Sequence, residues 1–247
     1  MTRRTLWAIG VGVYVLALIG MAPASLVDAA VGDASNGRLR VAQARGTLWS
    51  GDGQLEVRDS RGYGALARPL TWRLQPLALL GARLAYVLEL GAATPAFPLT
   101  ISWSRIELAN VRGTVPASAL AAALPKLAPY GLSGDLDIQI SRLAIGAGVS
   151  QGSATVQWRA ASSLLSPVAP LGDYQLHFEG DGARLRSTLH TVQGPLQLDG
   201  QGSWPQGDKP VFVATARMPP PSRQQLAPFL RLIAVERGDG SFEWRLK

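Results

Sequence analysis

Few side chains in this 247-residue chain are of the types that carry chemistry. There are two histidines, His177 and His190. His177 stands between Leu176 and Phe178, and His190 follows Leu189, each in an alternating run, so each points away from its apolar neighbours. A histidine metal site needs three converging ligands, and neither HExxH nor H-x-H spacing occurs. Both residues read as partly exposed strand histidines. Carboxylates are paired at Asp135/Asp137 and at Asp52/Glu56. Two residues apart on a strand, Asp135 and Asp137 share one face, and the solvated face is the ordinary place for acidic side chains. A glycosidase pair is the alternative that spacing leaves open. Cysteine is absent, which excludes a disulfide framework, a thiol nucleophile, a thiolate metal site and a lipidated N-terminal cysteine.

The glycines could do chemistry too. Residues 44–57 read ARGTLWSGDGQLEV, with Gly46, Gly51 and Gly53 close together. No G-x-S-x-G elbow is present, and no helix follows Ser50. Arg45–Trp49 is expected as a strand, Ser50–Gly53 as a tight turn with glycine supplying positive φ, and Gln54–Val57 as the returning strand. Gly146-Ala147-Gly148 and Gly180-Asp181-Gly182 lack the third glycine and the following helix of a phosphate loop. No catalytic residue, metal ligand or cofactor-binding residue is assigned, and the chain reads as a non-enzyme. Trp49, Trp72, Trp103, Trp158, Trp204 and Trp244 recur at expected strand positions. They fit either core filling of a wide sheet or an apolar groove for a lipid tail or a partner strand.

The elements around these residues are mainly β. Leu136–Ile140, Thr155–Trp158, Tyr174–Phe178, Leu196–Leu198 and Phe242–Leu246 alternate apolar and polar residues. Gly, Pro or Asp clusters bound each run, as in antiparallel sheet with one dry and one wet face. With 27 Gly and 17 Pro, turns are frequent. Residues 116–124 and 221–232 break the rhythm and predict short helices, the second interrupted by Pro228. An internal repeat is visible. Residues 111–140 resemble 215–247, with Leu136, Ile138 and Ile140 matching Phe242, Trp244 and Leu246; residues 70–90 resemble 156–180, each with a Trp-Arg strand and a later tyrosine. The expected architecture is an N-terminal transmembrane helix followed by an elongated, curled antiparallel β-sheet domain of two degenerate repeats with short helices. One apolar face would run through both halves. The expected boundaries are 1–4 cytoplasmic, 5–27 transmembrane, 28–36 linker, 37–141 first module and 142–247 second module.

From Thr5 to Val27 no residue is charged, and about 20 apolar residues suffice to cross a bilayer. Arg3 and Arg4 precede the run and Trp7 stands near its start, which predicts a cytoplasmic N-terminus and a single pass. Ala22-Pro23-Ala24 resembles a signal-peptide cleavage site, but the run is longer than the usual apolar stretch of a signal peptide, so a retained anchor is the expectation. Net charge is +7, carried almost wholly by scattered arginines. No basic run or arm is present, which argues against nucleic acid as a partner. A mildly basic surface near anionic lipid headgroups fits as well.

Four blocks then carry a family resemblance. They are Gly46-Thr47-Leu48-Trp49-Ser50-Gly51 soon after the apolar run, Trp72-Arg73-Leu74-Gln75-Pro76, Pro170-Leu171-Gly172-Asp173-Tyr174, and the Gly-Pro-Leu block from Gly194 to Trp204. Together they resemble the N component of the type II (general) secretion pathway of Gram-negative bacteria, and more distantly the AsmA-like β-rich envelope proteins. The resemblance implies an accessory protein of the inner membrane with its bulk in the periplasm. Its implied partners are other type II secretion subunits and inner-membrane lipids, and it would support export of folded proteins across the outer membrane. No catalytic residue carries over. The alternative is a lipid- or hydrophobe-binding groove protein of the cell envelope.

Overall fold

The computed structural model describes residues 3–58, 64–92, 94–119, 125–146, 149–205, 209 and 211–246. Two helices come first, α1 (Arg3–Gly20) and α2 (Ser25–Ala34). Fourteen strands follow in one antiparallel sheet. They are β1 (Leu39–Gly46), β2 (Ser50–Arg58), β3 (Gly64–Leu74), β4 (Leu84–Leu90), β5 (Phe97–Ser102), β6 (Arg105–Pro116), β7 (Leu132–Gly146), β8 (Val149–Ser163), β9 (Gly172–Asp181), β10 (Arg184–Gln193), β11 (Gln197–Pro205), β12 (Val211–Arg217), β13 (Val235–Glu236) and β14 (Phe242–Leu246). Helix α3 (Pro220–Ile233) links β12 to β13. Each strand pairs with the next in sequence up to β12, which pairs with β14, and β13 lies outside β14. The sheet does not close on itself, so β1 and β13 are its edges.

The register follows the period-two pattern and sorts side chains by face. Val41 lies opposite Leu55, Trp72 opposite Leu88 and Leu99 opposite Leu108. Farther on, Leu136 lies opposite Trp158, Leu176 opposite Leu189 and Ala214 opposite Trp244. One apolar face thus runs from β1 to β14. The other face carries Glu107, Asp137, Arg142, Arg159, His177 and Arg186. Keeping the faces sorted over the long strands β6 and β7 takes an irregularity. Asn110 has φ +53, and past it the inward position passes from Leu108 to Val111 and, on β7, from Leu143 to Ile140.

Two buried clusters lie on the apolar face. Val41, Leu70, Trp72 and Tyr86 pack with Ala24, Val27 and Val31 around α2. Ala161, Leu171, Tyr174, Leu196 and Phe242 pack with Leu226, Phe229 and Leu230 of α3. Tyr174 Oη donates to Leu196 O at 3.0 Å, which satisfies the one polar atom its burial would strand. Burial pushes its hydroxyl pKa well above the ordinary phenol value.

Several expectations are corrected. The run over 5–27 is not one helix. α1 stops at Gly20, and no described helix is long and apolar enough to cross a membrane. Residues 28–36 are not a linker, because most of them belong to α2. Asp28 ends the uncharged run, yet it is held in structure. Its Oδ1 accepts from Arg40 Nε and from the Val41 N–H, both at 2.8 Å, and its Oδ2 accepts from Arg40 Nη2 at 2.5 Å. The turn in ARGTLWSGDGQLEV is also shifted. The chain turns at Thr47–Trp49, and Ser50–Gly53 already belongs to β2. Thr47 Oγ1 accepts the N–H groups of Trp49 and Ser50 at 3.3 and 3.2 Å, and Gly46 before it, with φ +89, supplies the positive φ that Ser50–Gly53 was expected to supply.

Of the two predicted helices, the second is α3, with Pro228 inside it. In the first, residues 117–119 are helical, 120–124 lie outside the described residues, and Pro125–Tyr130 is a 3-10 turn. The repeat is imperfect in strand number. Four strands, β3 to β6, separate the start of the Trp72 strand from the first helical connection, but five, β8 to β12, separate the Trp158 strand from α3. In an antiparallel meander one extra strand reverses direction, so β14 runs the opposite way relative to β8 from the way β7 runs relative to β3. The expected module boundary at 141/142 falls inside β7.

Candidate interaction surfaces

The residues with chemical potential do not converge. Ser50 begins β2, while the histidines lie on β9 and β10, seven and eight strands away. His177 Nδ1 lies 3.1 Å from Thr155 Oγ1, its cross-strand neighbour on the polar face. His190 lies opposite Asp199 and Gln175 on the same face. Among the described residues no group of three His, Asp or Glu side chains is placed to hold a metal ion.

Of these carboxylates, Asp137 makes an ion pair across strands and Glu56 one along its own strand. Asp137 accepts from Thr114 Oγ1 at 2.6 Å and pairs with Arg159 Nε at 2.7 Å. Glu56 pairs with Arg58 at 3.0 Å. Arg142 and Arg105 both reach Glu107 and hold its carboxyl below the usual range. Asp181, in the Gly180-Asp181-Gly182 stretch, accepts the N–H groups of Ala183 and Arg184 at 2.9 Å each; these bonds lower its pKa and make the β9–β10 turn. Of Gly146-Ala147-Gly148, residues 147 and 148 lie outside the described residues.

Two of the signature glycines, Gly51 and Gly202, are explained by aromatic rings lying over them. Gly51 pairs with Trp72 across the strands, and a Cβ on Gly51 would lie 2.5 Å from the indole. Gly202 pairs with Phe212, and a Cβ there would lie 2.6 Å from Phe212, from Trp204 and from Ser187 Oγ. A glycine in a strand marks such close approach. The indole of Trp72 also donates to Thr47 O at 3.0 Å, and that of Trp158 donates to Ser133 O at 3.0 Å. Trp204 sits between Phe178 and Phe212, with centroids 6.3 and 6.2 Å away. Most of the tryptophans are therefore sheet-packing residues. Trp49 and Trp103 are not on strands, contrary to expectation. They stand in turns, and Trp103 is fully exposed.

The two sheet edges differ. At β1, Ser35 Oγ accepts the Leu39 N–H at 2.9 Å and donates to Leu39 O at 3.2 Å, and Asp28 takes the Val41 N–H. The Ala24 N–H donates to Gly46 O at 3.2 Å. These outward backbone groups at both ends of β1 are thus taken by α2 and its approach, which hinders strand addition. At the other edge β13 is two residues long, and Val235 is 73% exposed. Arg237 and Arg245 both contact Glu243 there, and Arg231 reaches Glu236 at 3.0 Å. This edge has no helix laid along its backbone groups among the described residues.

No curated protein and no solved structure matched the chain. A family model described as type II secretion system (T2SS), protein N, matches residues 37–245, which is the whole of the sheet except its last residue. The chain belongs to the protein N family of the type II secretion system.

Proposed function

We propose that the protein is an inner-membrane-anchored, periplasm-facing subunit of the type II secretion system that supports export of folded proteins through protein–protein contacts, without catalysis of its own. The observation that carries this reading is the family match over almost the entire sheet. The asymmetry of the edges supports it, because one edge is closed by the chain itself and the other offers a short, exposed strand to a partner. Membrane attachment rests on α1, whose Trp7, Val13, Tyr14 and Leu18 are exposed and apolar. The test is a photo-crosslinking residue at Val235 in cells that carry the secretion system. Capture of another secretion subunit is expected. Capture of none, from Val235 or from any position on the polar face, contradicts the reading.

A second reading is favoured by the apolar face, which continues past the two clusters with Ile106 and Ile145 about half exposed. That face would hold acyl chains. Native mass spectrometry of gently extracted protein is expected to show bound lipid under this reading, and protein free of lipid counts against it.

A further inference from the structure

The chain passes from α1 into the sheet with no slack. Trp49 Nε1 donates to Ile19 O at 2.8 Å, and the Leu48 N–H donates to Ala22 O at 2.8 Å. The C-terminal end of α1 is therefore fastened to the Thr47–Trp49 turn, at one rim of the sheet. The registers put two more connections on that rim. Ser50 opposite Arg73 brings the β3–β4 connection beside this turn. Leu84 opposite Ile101, and Ser102 opposite Arg105, add the turn at Trp103 and Ser104.

These connections expose large apolar side chains. Leu77 is 80% exposed, Leu80 is 88% exposed and Trp103 is fully exposed. The described part of the β4–β5 connection on the opposite rim has only Gly91, Ala92, Thr94, Pro95 and Ala96. Scattered apolar residues on a surface are ordinary. A group of them continuous with an apolar helix marks a surface that meets an apolar phase. Arg45, Arg73 and Arg83 are exposed just inside the same rim, where cations meet anionic headgroups. Length points the same way. At about 1.5 Å per residue, the 18 residues of α1 span about 27 Å, less than the ~30 Å hydrocarbon core. A short helix held in a bilayer draws whatever is fastened to its end into the interface.

We infer that this rim is seated in the interface of a lipid bilayer. Leu77, Leu80 and Trp103 lie at the boundary of headgroups and acyl chains, Arg45, Arg73 and Arg83 lie among the phosphates, and β2 to β6 rise from the membrane. The inference rests on the reading that α1 is held by the membrane. The 247-residue chain has no cysteine, so a single introduced cysteine carries a fluorophore at one place only. Leu80→Cys and Trp103→Cys report the rim, Tyr14→Cys reports α1, and Leu164→Cys, 86% exposed on the opposite rim, is the apolar control. Each labelled protein is reconstituted into phosphatidylethanolamine–phosphatidylglycerol vesicles containing a nitroxide-labelled lipid quencher. Quenching at 14, 80 and 103 is expected to exceed that at 164 several-fold. Quenching at 14 alone overturns the seating of the rim while leaving α1 in the bilayer. Quenching at none of the four removes the membrane reading itself. Replacing phosphatidylglycerol with phosphatidylcholine is expected to reduce quenching at 80 and 103, and unchanged quenching overturns the part given to the arginines.

Discussion

At the scale of single residues, the sheet is built on pairs of glycine and aromatic side chains. Gly202 leaves room for Phe212 and Trp204, since a Cβ there would meet each at 2.6 Å. Gly202→Val is expected to destabilise the protein by about 1–3 kcal/mol in denaturant unfolding. Gly64→Ala, where a Cβ meets nothing within 4 Å, is expected to leave the midpoint nearly unchanged. Equal effects of the two would show that the rings do not require the glycine. Beside Gly202, the hydroxyl of Ser187 is buried with no hydrogen-bond partner among the described residues. Removing an unsatisfied buried polar atom costs nothing and recovers its desolvation. Ser187→Ala is therefore expected to be neutral or stabilising by up to about 1 kcal/mol. A clear loss of stability would mean that the hydroxyl is bonded.

At the scale of elements, α2 is both a core piece and a cap on the β1 edge. Asp28 joins the two roles. The Arg40 guanidinium, then the Val41 N–H, hold its pKa at about 2 against an ordinary 3.8, despite partial burial. A depressed carboxylate contributes stability that is present above its unfolded pKa and lost as pH falls through the folded one. The gap in unfolding midpoint between the native protein and Asp28→Asn is expected to be constant above about pH 5 and to close as pH falls toward 2. A gap that persists at pH 2 would place its cause elsewhere.

This element also shows what sequence alone could and could not convey. The alternating runs in β7, β8, β9 and β14 were legible because burial on one face forces period two on the chain. α3 was legible from its proline start and Leu/Phe spacing. α2 was not, because residues 25–27 read as the tail of a longer apolar span and the partner of Asp28 lies twelve residues away. The Thr47 turn is hidden because Gly51 and Gly53 look like turn residues, and only the Trp72 ring beside Gly51 and the Val41 side chain beside Gly53 reveal why a strand needs them. The rim was hidden too. Nothing in the spacing of the leucines of Pro76–Gly81 shows that Leu77 and Leu80 stay exposed, with no element over them among the described residues.

At the scale of the whole molecule, the sheet is a one-layer platform with a capped edge, an open edge and a rim fastened to an apolar helix. The family match spans almost all of it. That match supports the proposed role as a component of the secretion machine. The most direct measurement is export of a folded substrate to the medium by a strain lacking this gene, with and without the gene restored. Export is expected to fall in the deletion strain and to return with the full-length protein. Undiminished export in the deletion strain would contradict the proposed role.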